Sequence, residues 1–213
     1  MDKPDKLAVL EALLGEKVKL HFWEGEWQDG GLTDHMLRTL FELSGSVSDD
    51  QTGVILETGA GLSTLAFLAS APARVITIAP DPKLRDRIDA QIARFSLDGS
   101  RIDYYVDRSE NVLPDLAKSD EPFVDVALID GGHGMPTVFV DFCYINKILK
   151  QGGYLAIDDI QLHSVRQLYL LLKSQPGFHI VRDLGKLVVF QKTGNQRFLP
   201  EWNKQPFVVL NSC

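Results

Sequence analysis

Short apolar runs alternate with longer stretches of helical period along this chain. GVILET (53–58), RVITIA (74–79), RIDYYV (101–106), VDVALID (124–130) and GYLAID (153–158) are rich in β-branched residues. Their nearly continuous apolar character is that of strands covered on both faces. Between them LSTLAFLAS (62–70), KLRDRIDAQIARF (83–95), ENVLPDLA (110–117, interrupted by Pro114) and PTVFVDFCYINKILK (136–150) read as helices, and LHSVRQLYLLLKS (162–174) follows the fifth run. FHIVRDL and KLVVFQK then flank Gly185. A parallel crossover needs about a dozen residues, so this last pair is antiparallel. The pattern predicts a doubly wound, Rossmann-like α/β sheet of about seven strands, the last one antiparallel, with helices on both faces. Residues 5–16 and 33–44 read as two further helices around a loop, WEGEWQDGG (23–31). The expected organisation is an N-terminal helical cap (1–50) of the same domain, the α/β body (51–193) and a tail (194–213) without a clear period. Within the tail, PFVVL is open to two readings: an added strand, or a contact between two copies of the chain in a homodimer.

Composition narrows the partners. With 213 residues, 45% hydrophobic and 24% charged, the chain can bury a sizeable core. A formal net charge of −7 argues against nucleic acid or an anionic membrane as partner. No apolar run reaches the ~18 residues of a membrane span, and MDKPDKLAVLEALLGEK is too interrupted by acids for a signal peptide. Two cysteines, Cys143 in an apolar helical pattern and Cys213 at the end, do not make a disulfide framework. A reducing, cytoplasmic setting is expected, with Cys143 in the core.

Ligands of open α/β sheets bind beyond the carboxyl ends of the strands. The first strand ends in Glu57-Thr58-Gly59-Ala60-Gly61-Leu62-Ser63-Thr64. Glycines let a ligand approach closely, but Thr64 leaves the dinucleotide fingerprint incomplete. A carboxylate at Glu57 is a poor neighbour for pyrophosphate and a good one for an ammonium or sulfonium. The bland reading is a plain strand–helix turn. Downstream, Asp130-Gly131-Gly132-His133 and Asp158-Asp159 put three carboxylates at strand ends expected to be close together. Crowded like charges raise one another's pKa unless a cation intervenes, and oxygen ligands suit Mg²⁺ or Mn²⁺. The alternatives are that Asp158-Asp159 with Gln161 cap the next helix and that His133 is a turn residue. Around the N-terminal loop, His21, Trp23 and Trp27 are open between pocket and packing, and Thr33 or Asp34 reads as the start of a helix that includes His35.

These segments carry a resemblance over residues 53–192. Glu-x-Gly-x-Gly resembles motif I of the class I S-adenosylmethionine-dependent methyltransferases. VITIAPDPKLRDRIDAQI resembles that family's second strand and helix, YVDRSENVLPDL its adenine-flanking segment, VDVALIDGGH its fourth strand and ILKQGGYLAIDDI its fifth. Within it the chain looks closest to small-molecule O-methyltransferases of the catechol or Asp-Gly-x-His type. The resemblance implies S-adenosylmethionine bound by Glu57, Gly59, Ala60, Gly61, Ser63, Thr64, Asp81, Arg108, Ser109 and Asp130. It implies Mg²⁺ or Mn²⁺ on Asp130, Asp158 and Asp159, with Asp159 standing where an Asn is usual. It implies Asp130 and His133 as catalytic groups, His133 being the base that takes a hydroxyl proton, and a small hydroxylated acceptor. Two positions depart from the pattern. Ala79 stands where an acid commonly holds the ribose, and Asp81, two residues on, equally reads as a helix start between Pro80 and Pro82. Asp107-Arg108 stands where the family has glycine and a small or acidic residue.

Two other functions compete with a methyltransferase acting on a hydroxyl. A nicotinamide-dependent oxidoreductase is opposed by Glu57, Thr64 and Ala79. A non-catalytic ligand-binding protein on the same fold is favoured by Ala79 and Arg108 and opposed by the carboxylates and His133.

Overall fold

The elements follow in chain order as helix Lys6–Gly15 (α1), strands His21–Trp23 (β1) and Glu26–Gln28 (β2), and helix Asp34–Ser46 (α2). Next come Val54–Thr58 (β3), Leu62–Ala69 (α3), Arg74–Ile78 (β4), Pro82–Arg94 (α4), Ile102–Tyr105 (β5) and Ser109–Leu116 (α5). Val124–Ile129 (β6), Thr137–Ile148 (α6), Leu149–Ile157 (β7), His163–Ser174 (α7), Phe178–Asp183 (β8), Val188–Lys192 (β9) and Pro206–Asn211 (α8) complete them. The structure, a computed structural model, describes residues 5–47 and 52–212, so Cys213 and the expected boundary at residue 50 lie outside the described residues. β3 to β9 form a seven-stranded sheet in the order β5-β4-β3-β6-β7-β9-β8, with β9 alone reversed. The doubly wound expectation holds.

The chain divides into two compact units, Met1–Asp107 and Arg108–Cys213. In the first, β3, β4 and β5 pair in parallel. Ile55, Leu56, Val75 and Ile76 are fully buried, which is why their runs show no polar alternation. α3 is buried from Ser63 to Ala69, whereas α4 buries only Leu84, Ile88 and Ile92, one face at helical spacing. α1 and α2 pack on α3, and the α2 hydroxyl of Ser44 shares a 2.5 Å hydrogen bond with Ser70. Thr33 caps α2 by accepting from the Met36 N–H, so the helix-start reading around His35 holds.

The expected loop at 23–31 instead contributes to an antiparallel hairpin pairing Phe22 with Trp27. Glu24 and Gly25 both have positive φ, 51° and 86°, as a two-residue turn of matching twist requires. Phe22, Trp23 and Trp27 are exposed, so the tryptophans do not pack into the core.

In the second unit β6 and β7 are parallel, β9 runs against β7, and β8 against β9. β7 starts at Leu149, four residues before the run seen in the sequence, and its register shifts between Val124 and Val126. A Cβ on Gly153 would lie 2.9 Å from the Asp125 carbonyl oxygen; only glycine fits that crossing. PFVVL does not add a strand; it lies in α8, with Pro206 in its first turn. Cys143 is exposed and free, contrary to the core expectation, because α6 buries Val138, Asp141, Phe142 and Ile145.

Candidate functional site

In the first unit, buried β3 delivers Glu57 to the loop with no exposed surface. Its carboxylate accepts from the hydroxyls of Ser63 (2.7 Å), Thr64 and Thr77 (2.8 Å). The Thr64 hydroxyl oxygen in turn accepts from the Gly61 N–H at 3.1 Å. Gly59, at φ 89°, donates its N–H to the Ile78 carbonyl at 2.9 Å. Glu57 is thus the inner clamp of the loop, with Gly59 and Ala60 at its half-exposed rim and Gly61 beneath. Thr77, on β4, belongs to this clamp; only the parallel pairing Glu57↔Thr77 reveals it. The hairpin adds His21. A Cβ on Gly61 would meet its Nε2 at 2.9 Å, and one on Gly30 at 3.0 Å. The imidazole therefore rests directly on the glycine loop.

Asp81 takes the helix-start role. Its side chain accepts from the Lys83 N–H at 2.9 Å and the Arg87 guanidinium at 3.0 Å. Desolvation works against its charge, but these two partners hold the carboxyl below its ordinary range. Ala79 is buried and donates its N–H to the Tyr105 carbonyl.

In the second unit, Arg108 precedes α5 and Ser109 is buried in its first turn. Glu110 accepts from the Thr137 hydroxyl at 2.7 Å, which holds its carboxyl low. The register Ile129↔Ile157 sets Asp130 and Asp158 side by side at adjacent strand ends, and the Asp158 N–H donates to the Ile129 carbonyl at 3.1 Å. His133 Nε2 lies 3.7 Å from Asp130 Oδ1 and 3.5 Å from Asp159 Oδ2. Both are ion-pair distances beyond hydrogen-bond geometry, and Nε2 is buried without a hydrogen-bond partner. Ser164 donates its hydroxyl to the His133 carbonyl and fixes that turn. Asp159 has φ 57°, a left-handed conformation that Asp adopts more readily than most residues.

Lys186, at the turn into β9, was not singled out in the sequence. Its ammonium lies 2.7 Å from Asp158 Oδ2 and 3.0 Å from Asp159 Oδ1, and its carbonyl accepts from the Ile160 N–H. Gln161 donates to Asp159 at 2.8 Å, and α7 starts after Leu162 with no side-chain cap, so the capping-box reading of Asp158-Asp159-Gln161 does not form. Burial, then the Asp130 charge, push Asp158 up to about 6. Burial also raises Asp130, against the pull of His133. Asp159 stays below its usual range because Gln161 and Lys186 outweigh desolvation. The Asp130 carboxylate raises His133 above 6.5.

Donors suited to a metal ion converge at Asp130, His133 and Asp159, all within 4.8 Å of one another. Asp158 is outside this trio; it is 1% exposed and its Oδ2 is engaged by Lys186. The cluster therefore already contains a cation, which the three-carboxylate expectation did not include.

A sheet of this order, with a buried acid behind the glycine loop and acids at the ends of β6 and β7, defines a class I methyltransferase fold. The comparisons with known proteins agree. Residues 56–160 match the family model described as a methyltransferase domain. Over that stretch the chain is similar to a methyltransferase domain, and its fold is that of the class I methyltransferases. Among solved structures it resembles the O-methyltransferase TomG from Streptomyces achromogenes, in complex with SAM (17% identity, 91% of this chain and 92% of that one, TM-score 0.66). It also resembles an O-methyltransferase from Bacillus cereus in complex with SAH (18%, 90% and 93%, TM-score 0.59). An rRNA methylase from Streptococcus thermophilus is similar over 74% of this chain and 97% of its own (18%, TM-score 0.56). At these identities the likeness shows the fold. No curated protein gives a significant sequence match. Among the described residues no helix is long and apolar enough to cross a membrane.

Proposed function

We propose that the protein transfers the methyl group of S-adenosylmethionine to a hydroxyl oxygen of a small molecule, with His133 as the general base. The observation that carries this reading is the buried, unpartnered Nε2 of His133 between Asp130 and Asp159. A small acceptor, not RNA, fits the net charge of −7. TomG and the Bacillus cereus enzyme, crystallised with SAM and SAH, support the choice of donor and of oxygen as acceptor.

Glu57, through Ser63, Thr64 and Thr77, fixes the loop. The half-exposed rim at Gly59 and Ala60 offers close backbone approach to the cofactor, with Gly61 beneath it. Asp81, Arg108 and Ser109 are the candidates for its ribose and adenine, and Asp130 for its methionine end. S-adenosylmethionine supplies a methyl carbon already activated by its sulfonium. His133 accepts the acceptor's hydroxyl proton at Nε2. The acceptor oxygen then bonds to the methyl carbon as the carbon–sulfur bond breaks, leaving a neutral thioether. Asp130 and Asp159 stabilise the imidazolium so formed, and Lys186 balances the carboxylates.

A second reading is favoured by the 4.8 Å convergence of Asp130, His133 and Asp159. These three would hold a divalent ion, Mg²⁺ or, with an imidazole in the set, more readily Mn²⁺. Such an ion lowers the pKa of a bound hydroxyl, and His133 would then be a ligand and not a base.

Labelled S-adenosylmethionine, offered with panels of phenols, alcohols, amines and rRNA with and without EDTA, tests the proposal. Label in an O-methyl product, in EDTA and lost in His133→Ala, is expected. Label only in amines or RNA overturns it.

A further inference from the structure

A second polar pocket lies at the other end of β7. The strand runs from Leu149 beside this pocket to Ile157 beside Asp158, so the two sites are roughly 25 Å apart at ~3.3 Å per residue. The pocket is a cavity of about 370 Å³ lined by the ends of α6 and α7, by β9 and by the tail, a volume that suits a small organic ligand.

Its floor holds Lys192, 2% exposed. The ammonium donates to the carbonyls of Asn146 (2.6 Å) and Leu149 (2.9 Å), capping the end of α6. An ammonium has three N–H groups, so one is left over. Among the described residues no carboxylate lines the cavity; the charged neighbours are cations, Lys204 on the wall and Arg197 nearby. Burial, with Arg197 acting in the same direction, brings Lys192 down to about 8. A buried charge without a counter-ion is costly.

Two more groups in the lining are incomplete. Gln175 is 4% exposed and its Nε2 has no hydrogen-bond partner. Asn146 is 2% exposed; its Nδ2 donates to the Arg197 carbonyl at 3.1 Å while its Oδ1 is unpartnered. Buried polar groups are rarely left so, and here two donors and one acceptor share one cavity. Phe178, Phe198 and Leu199 supply apolar wall.

We propose that this cavity binds a small carboxylic acid. Its carboxylate accepts from the Lys192 ammonium and the Gln175 amide, and its hydrocarbon body lies against Phe178, Phe198 and Leu199. A hydroxyl or amide N–H on the ligand would satisfy Asn146 Oδ1. The site needs neither His133 nor the glycine loop, so it stands apart from methyl transfer.

Isothermal titration of the full chain with hexanoate, and with hexanamide as the uncharged counterpart, tests this. Saturable binding of hexanoate is expected, with hexanamide at least about tenfold weaker, a difference of ~1.4 kcal/mol. Lys192→Met should abolish it and Gln175→Leu should weaken it about tenfold, while His133→Ala leaves it unchanged. If Lys192→Met does not fold, as loss of the α6 cap could cause, Gln175→Leu decides. No saturable binding to the wild type, equal affinity for the amide, or full affinity in Gln175→Leu overturns the proposal.

Discussion

Lys186 holds Asp158: its ammonium lies 2.7 Å from an oxygen of a carboxylate that is 1% exposed. The lysine arrives there because β9 runs back along β7 and pairs Val188 with Ile157. A metal expected from three acids meets a positive charge already in place. Removing that charge strands a buried carboxylate. Lys186→Met should lower stability by on the order of 2 kcal/mol, below the 3–5 of a fully buried pair because Lys186 is partly exposed; urea denaturation at pH 7 measures it. The loss should shrink as the pH falls below 6, where Asp158 is protonated in the folded state.

Competition between Lys186 and a metal gives a second outcome. With Lys186 present, Mn²⁺ should bind Asp130, His133 and Asp159 weakly, and Lys186→Met should bind it at least about tenfold more tightly, as a like charge is gone. Titration followed by manganese electron paramagnetic resonance reads this. Equal affinity in both proteins means that the lysine does not guard the cluster.

His133 sets the pH dependence of turnover. Its pKa is raised above 6.5 by Asp130, so the neutral, proton-accepting form gains ground only as the pH passes that higher value. In EDTA, kcat should rise through a limb above pH 6.5, and His133→Ala should lose the limb and about 10²- to 10⁴-fold in rate. The stability linkage has the opposite slope. The extra stability of the imidazolium is present below 6.5 and disappears as the pH rises through the folded-state pKa. A flat rate profile would show that another group takes the proton.

Glu57 accepts three hydroxyl hydrogen bonds inside the glycine loop. Glu57→Gln replaces one accepting oxygen by an amide that confronts the same donors. A loss of about 1–3 kcal/mol follows, read by thermal unfolding, together with weaker S-adenosylhomocysteine binding because the loop loses its clamp.

Lys192 adds a stability change at alkaline pH. Its folded pKa of about 8 lies below its ordinary 10.5. The unfolded chain therefore holds the extra proton between these values, and this group's contribution rises with pH across that window. Denaturation at pH 7.5 and 10, compared with Lys192→Met, isolates it.

Strands buried on both faces were legible because their apolar runs are nearly continuous, and the tight join at Gly185 fixed the reversal of β9. The hairpin at 21–28 escaped because three-residue strands are too short to show a period and their aromatic residues are exposed. PFVVL could not be typed from five residues, since a short apolar run fits either state. Cys143 misled because α6 buries an acid, Asp141, on the face that its apolar residues define. At the candidate site, Glu57, Asp130, Asp158 and Asp159 stood out by their places at strand ends, and His133 by following Asp130 in the same turn. Lys186 and Thr77 were not, since each meets its carboxylate only through the pairing of separate strands.

The central claim is met most directly by measuring which adenosine-bearing cofactor the chain binds. Isothermal titration with S-adenosylmethionine, S-adenosylhomocysteine and NAD, in EDTA, should show one-to-one binding of the first two and none of NAD. Binding of NAD with no response to S-adenosylmethionine or S-adenosylhomocysteine would contradict it.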